Sequence, residues 1–313
     1  MSENSSDKTL AGGVWPVMLT PFTDDKQIDW TGLDRLIDWY LESGVAGLFA
    51  VCGSSEMYEL SDEEQLTLAE RVAKRVEGRV EVIATGTFGG TMQQQADFVR
   101  QMAQTGVVAV VCLVNQIAGQ GQSDEQWKLN AEVLLEKTDS IPLGLYECPN
   151  PYHRILSPEL LSWLVSSGRF VFLKETSGQL DLVKEKISVV RDTHLSFFNA
   201  NTATLLESLN AGGDGFSGIA ANFYPSLFVW LCDHFREQPG PAERLQQFLR
   251  DAESVVENKY PASAKKYLSL SGMEISTSCR VCDYEFDKDE IAVLETFREK
   301  VQLWYRELGL PLN

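Results

Sequence analysis

Between residues 11 and 240 the chain alternates short apolar runs with longer stretches whose apolar residues recur at helical spacing. The run at 14–20 is closed by Pro21. In 30–43, Leu33, Leu36, Ile37 and Tyr40 share one helix face before Gly44 stops it. The cadence then repeats. A strand at 47–51 leads to a helix at 62–76, opened by Ser61 and Glu64 at capping-box spacing. A strand at 80–85 leads to a helix at 91–104, with Met92, Ala96, Val99 and Ala103 in register. The run at 107–114 is so uniformly apolar that both its faces must be covered, as in a parallel sheet. Helices follow at 124–137, 158–166, 180–190, 202–210 and 225–237, separated by strands at 143–147, 170–175, 195–199 and 215–219.

Eight strand-helix units recurring every ~30 residues predict a (β/α)8 barrel, with an open doubly wound sheet as the second arrangement. Beyond residue 241 the strands cease and helices are predicted at 242–257, 262–270 and 289–308. In the last of these Leu294, Phe297, Val301, Trp304 and Leu308 keep helical spacing. The expected organisation is a flexible tail over 1–10, a barrel over 11–240 and a helical segment over 241–313 packed on the barrel. The Gln238-Pro239-Gly240-Pro241 break is too short to free a mobile domain.

In such a barrel chemistry gathers at the C-terminal ends of the strands. The sixth strand, Phe170-Val171-Phe172-Leu173-Lys174-Glu175, ends in a lysine. Two readings are open for Lys174: a solvated cation paired with Glu175, or an amine stripped of water, lowered in pKa and able to attack a carbonyl to form an imine. Other strand ends offer it partners. Tyr146 closes the fifth strand, one strand away, and a phenol there can move protons. Gly53-Ser54-Ser55-Glu56 follows the second strand and supplies two hydroxyls and a turn of amides suited to a carboxylate. The eighth strand carries Gly213-Asp214-Gly215-Phe216-Ser217-Gly218, whose glycines permit close approach of a small ligand. His153 and Arg154 follow the Tyr146 loop, Arg154 being either a receiver for a second anionic group or half of a surface pair.

The net charge of −18 and pI near 4.6 argue against nucleic acid or an anionic membrane surface as partner. No apolar run reaches transmembrane length and residues 1–10 lack a signal-peptide core, so the expectation is a soluble cytoplasmic protein. Cysteines at 52, 112, 148, 232, 279 and 282 are scattered, mostly in apolar segments, as reduced core thiols are. Cys279 and Cys282 form a CxxC, but neither a second pair at zinc spacing nor a βαβ redox context accompanies it, and no metal or cofactor is expected.

The order Thr20-Pro21-Phe22, Gly53-Ser54-Ser55-Glu56, Tyr146-x-x-Pro149, Leu173-Lys174-Glu175-Thr176-Ser177-Gly178 and Gly213-x-Gly215 resembles the dihydrodipicolinate synthase and N-acetylneuraminate lyase family over nearly the whole chain. The resemblance implies a barrel with a C-terminal helical segment, commonly a homotetramer. It also implies a cofactor-independent lyase in which Lys174 forms a Schiff base with pyruvate or a related 2-oxo acid. By the same resemblance Tyr146 relays protons, Ser54 and Ser55 hold the carboxylate and join the relay, and Ser217 lines the pocket. Three departures stand out. The family's second glycine in the strand-two turn is absent, the tyrosine it usually carries after strand four is replaced by Cys112-Leu113-Val114-Asn115-Gln116, and Pro151 stands where an arginine binds an aldehyde substrate's carboxylate. The 2-oxo acid half is retained and the second half is altered. Pyruvate plus an aldehyde, or in reverse a 2-keto-3-deoxy sugar acid, are therefore the expected substrates, by condensation or aldol cleavage, and a dehydratase on a similar sugar acid would use the same imine. Dihydrodipicolinate synthase itself, or a barrel that binds a 2-oxo acid without turnover, are the alternatives.

Overall fold

The structure, a computed structural model, describes residues 10–311. Eight parallel strands, β1 (Gly13–Val14), β2 (Gly47–Phe49), β3 (Glu81–Thr85), β4 (Ala109–Leu113), β5 (Leu143–Tyr146), β6 (Phe170–Glu175), β7 (Ser196–Asn199) and β8 (Gly215–Phe216), pair in the order β1-β8-β7-β6-β5-β4-β3-β2. The two ends of that order also meet. Ala46 N donates to Val14 O at 2.9 Å, Phe49 N to Pro16 O at 3.0 Å and Met18 N to Phe49 O at 3.0 Å. The sheet is a barrel and not the open alternative.

The first strand is shorter than the expected 14–20 because Pro16 has no N–H for the ladder; the run continues as a single bridge between Val17 and Phe49. The expected 107–114 strand yields at its end to the short helix α4 (Val114–Ile117), and the 215–219 strand to a 3-10 turn over Ile219–Asn222. Of the expected tail, residues 1–9 lie outside the described residues. Leu10 is buried and its carbonyl accepts from the Ser196 hydroxyl at 3.2 Å, so it belongs to the core.

The helices on the outside are α1 (Trp30–Glu42), α2 (Asp62–Arg75), α3 (Met92–Ala103), α5 (Asp124–Lys137), α6 (Pro158–Ser166), α7 (Leu180–Val190), α8 (Leu205–Ala211) and α9 (Pro225–His234). Ser61 and Glu64 form the expected capping box at the start of α2. After the barrel come α10 (Pro239–Asp251), α11 (Glu253–Glu257), α12 (Ala262–Leu270) and α13 (Lys288–Glu307). The proline-rich break is thus itself the first turn of α10, where missing N–H groups cost nothing because they have no intrahelical acceptor. Phe297, Val301 and Tyr305 of α13 join the core, so the last helix is packing material as its spacing predicts.

Strand residues alternate between the barrel interior and the helix layer. Inside, Phe172 stacks on Phe198 at 4.9 Å, and Trp15 and Phe49 meet Phe172 at 5.8 and 5.9 Å. These rings fill the barrel beneath Tyr146, whose ring lies 6.0 Å from Phe49. A Cβ on Gly215 would lie 1.8 Å from the Gly13 carbonyl oxygen, so only glycine fits where β8 meets β1. Gly215→Ala is expected to lower unfolding free energy by about 3 kcal/mol in urea titrations, with no compensating gain.

Candidate active site

Lys174 and Tyr146 are register partners on β6 and β5. Both point inward, and the Lys174 ammonium nitrogen lies 4.3 Å from the centroid of the Tyr146 ring. Lys174 is only 4% exposed, and among the described residues no carboxylate comes within ion-pair distance of it. Burial pulls its pKa down to about 8, opposed weakly by Cys52 and Cys148. Burial also pushes the Tyr146 phenol well above its ordinary value, so it stays neutral. Its oxygen lies over Gly53, 3.6 Å from where a Cβ would stand.

Two cavities meet at this pair. One, of about 310 Å³, is bordered by the turn after β2, including Ser54, and by Tyr260, Val281 and Tyr284 from beyond the barrel. The other, of about 230 Å³, is bordered by His153, Thr176, Asn201, Thr202, Glu253 and Glu257. Neither wall contains a lysine or arginine other than Lys174.

Residues 10–297 match the Dihydrodipicolinate synthetase family. The chain belongs to this family. It is accordingly an enzyme of the lyase class. Similar relatives include the 4-hydroxy-tetrahydrodipicolinate synthase of Oceanobacillus iheyensis, 27% identical over 266 residues covering 84% of this chain and 88% of the relative. The synthase of Methanococcus maripaludis is 28% identical over 225 residues, covering 71% and 74%. Among solved structures, the E. coli K12 prophage protein YagE, in complex with pyruvate, superposes with a TM-score of 0.84 at 24% identity, covering 93% of this chain and 99% of YagE. Dihydrodipicolinate synthase of Thermotoga maritima superposes with a TM-score of 0.83 at 20% identity, covering 94% and 99%. At these identities the superpositions describe the fold, and the barrel with its C-terminal helices is the shared part.

Within this member of the dihydrodipicolinate synthetase family, the residues expected at the site divide. Lys174, Tyr146 and Ser54 share one cavity. Ser55 does not border that cavity. Its hydroxyl is enclosed between the carbonyls of Ala50 at 2.6 Å and Met18 at 2.8 Å and accepts from Cys52 N at 3.2 Å. It fastens the turn instead. Ser217 is likewise off the cavity surface, fully buried with its hydroxyl unpartnered among the described residues, and Gly218 and Ile219 form the wall at that strand end. His153 lies in the second cavity, its Nε2 2.8 Å from Thr176 Oγ1. Arg154 is tied to Asp124 at 2.7 Å and to Gln122 O at 2.9 Å, so it is paired, but its side chain is largely buried and not solvated. Cys279 is buried and Cys282 exposed, and among the described residues no cluster of three or more His, Cys, Asp or Glu side chains suits a metal. No helix among them is long and apolar enough to cross a membrane.

Glu175 does not pair with Lys174 because it faces the opposite side of β6. There Lys186 of α7, fully buried, donates to Glu175 at 3.1 Å and to Glu147 at 2.6 Å. Glu147 also accepts from Leu156 N at 2.9 Å and Thr176 N at 3.0 Å, holding the loops that follow Tyr146 and Lys174. Burial pushes the Glu147 carboxyl up and Lys186 draws it back down. Sequence reading passed over this triad, although Lys186 falls on the same helix face as Val183 and Val190.

A second ion pair was also missed. Glu56, in the left-handed conformation at φ 57°, accepts from Lys265 Nζ at 2.9 Å and from Val281 N at 2.9 Å. It occupies the place of the missing second glycine. The backbone strain there, of order 1 kcal/mol, is offset by these charged hydrogen bonds. Arg280 grips Glu64 through two 2.7 Å bonds, so the 274–287 segment is fastened across the cavity mouth.

Lys186→Met leaves two buried carboxylates without a counter-charge and is expected to cost about 3–5 kcal/mol in urea unfolding. Adding Glu147→Gln and Glu175→Gln to that variant is expected to recover part of the loss.

Proposed function

We propose that this chain is a class I aldolase or lyase in which Lys174 forms an imine with pyruvate or a related 2-oxo acid. The observation that carries the reading is a buried amine, unpaired with any carboxylate among the described residues and lowered to about 8, lying against the Tyr146 phenol where two cavities join. The free amine adds to the C2 carbonyl, the carbinolamine loses water, and the protonated imine draws electrons from C3. Loss of a C3 proton gives an enamine that attacks an aldehyde carbon; the reverse sequence cleaves the same bond. Tyr146 carries protons to and from the departing water and the new hydroxyl, and Ser54 receives the carboxylate.

For the second half of the substrate, the polar wall of His153, Thr176, Asn201 and Thr202, joined by Glu253 and Glu257, suits the hydroxyls of a 2-keto-3-deoxy sugar acid and offers no cation to a distal carboxylate. A second reading, 4-hydroxy-tetrahydrodipicolinate synthase, is favoured by the names of the curated relatives.

Borohydride reduction with pyruvate, followed by intact mass and peptide mapping, is expected to add a reduced pyruvyl group at Lys174 and none to Lys174→Ala. The initial rate of trapping should rise about tenfold per pH unit below pH ~8 and level off above it, because only the unprotonated amine attacks. A folded protein that traps neither pyruvate nor any other 2-oxo acid would exclude imine chemistry.

Pyruvate release from 2-keto-3-deoxygluconate, read by a coupled dehydrogenase, is the expected outcome of the first substrate reading. Consumption of pyruvate with aspartate semialdehyde, and no release from the sugar acid, would establish the second. Product analysis separates cleavage from dehydration.

A further inference from the structure

Tyr260 borders the first cavity although neither the barrel strands nor the sequence motifs single it out. It arrives from the segment after the barrel, immediately before α12, and borders the same space as Lys174, Tyr146 and Ser54. The direction of its hydrogen bonds can be worked out by following fixed acceptors. The carbonyl of Val17 can only accept, so the group that faces it at 2.9 Å is the amide NH2 of Asn222. The other side of that amide, Oδ1, accepts from the Tyr40 hydroxyl. The NH2 of Asn222 therefore also donates to the Tyr260 oxygen, at 2.6 Å. Tyr260 is an acceptor in that bond and keeps its own proton.

No carbonyl or carboxylate among the described residues receives that proton, and the Ser54 hydroxyl is near it on the same cavity wall. Burial pushes the phenol's pKa up, so it remains protonated at neutral pH. The cavity meanwhile lacks any lysine or arginine apart from Lys174, which imine formation would consume. An anionic group bound here has to be held by neutral O–H and N–H donors. A preset phenol beside a serine hydroxyl supplies them.

We propose that Tyr260 is a substrate-binding residue whose hydroxyl donates to the carboxylate of the 2-oxo acid beside Ser54, so that the segment following the barrel completes the binding site. This inference rests on the imine reading above. No bond is broken in the step: Tyr260 keeps its proton and the carboxylate its charge. A hydrogen bond from a neutral donor to a charged acceptor contributes enough that its loss is read as about a tenfold change in affinity.

The test uses the full chain and two probes. These are pyruvate and hydroxyacetone, in which a hydroxymethyl group replaces the carboxylate. Borohydride-trapped adduct is measured against probe concentration for the unaltered protein, Tyr260→Phe and Tyr284→Phe. Tyr284 borders the same cavity and serves as the control. Tyr260→Phe is expected to raise the half-saturating pyruvate concentration about tenfold, with the same adduct at saturation and no change with hydroxyacetone, while the melting temperature falls modestly because the Asn222 amide loses an acceptor. Tyr284→Phe should leave pyruvate half-saturation unchanged. Unchanged pyruvate half-saturation in Tyr260→Phe would overturn the proposal. So would an equal loss with both probes, which marks a general packing role. Absence of any adduct in the unaltered protein would instead bring down the imine reading, and this inference with it.

Discussion

A lysine and a glutamate that are neighbours along a strand cannot pair, because the pleat sends them to opposite faces, and the environment of Lys174 depends on that separation. Lys174 enters the barrel with no counter-charge, while Glu175 turns outward to Lys186 and Glu147. The two environments are complementary. On the helix side two carboxylates share one ammonium in a dry layer, and Glu175 Oε2 is left without a partner among the described residues. On the interior side one amine is left with a phenol ring and a cavity, and desolvation brings its pKa toward neutrality. The outer triad also holds the loops after β5 and β6, so the charges that Glu175 meets on the outer face fix the strand ends on which Tyr146 and Lys174 sit.

The barrel and its central residues were legible because both follow from periodicity. Uniformly apolar strands alternating with amphipathic helices leave few topologies, and in a parallel barrel the strand ends converge, so Lys174 and Tyr146 could be paired before any coordinates. The misses occur where periodicity stops. Ser54 and Ser55 are adjacent in a 3-10 turn, and only the turn's geometry decides that one faces the cavity and the other is enclosed by Ala50 and Met18. Ser217 and Gly218 divide in the same way at the end of β8, one buried and the other on the wall. Pro16 shortens β1 and the prolines at 239 and 241 begin a helix, both through the missing N–H. Tyr260 lies 86 residues after Lys174 by their numbers, in a segment with no strand end to mark it. Its place depends on a long-range contact with Asn222 that no local pattern encodes.

The C-terminal segment is thus more than a cover for apolar helix faces. Lys265 reaches back to Glu56, Arg280 to Glu64, and Tyr260, Val281 and Tyr284 close one side of the cavity beside Lys174. Glu56 is the shared fixture, since its carboxylate accepts from both Lys265 and the Val281 amide. A turn directly beside Ser54 is thereby held from outside the barrel.

That fastening has a consequence in time as well as in space. A ribosome releases residues in order, so all eight strands emerge before Lys265 and Val281 exist to meet Glu56. Until they do, the Glu56 carboxylate cannot be withdrawn from water without a counter-charge, and the turn that bears Ser54 lacks its outer support. The nascent barrel therefore has Lys174 and Tyr146 before the cavity beside them has its outer wall, which waits on the last part of the polypeptide to be synthesised.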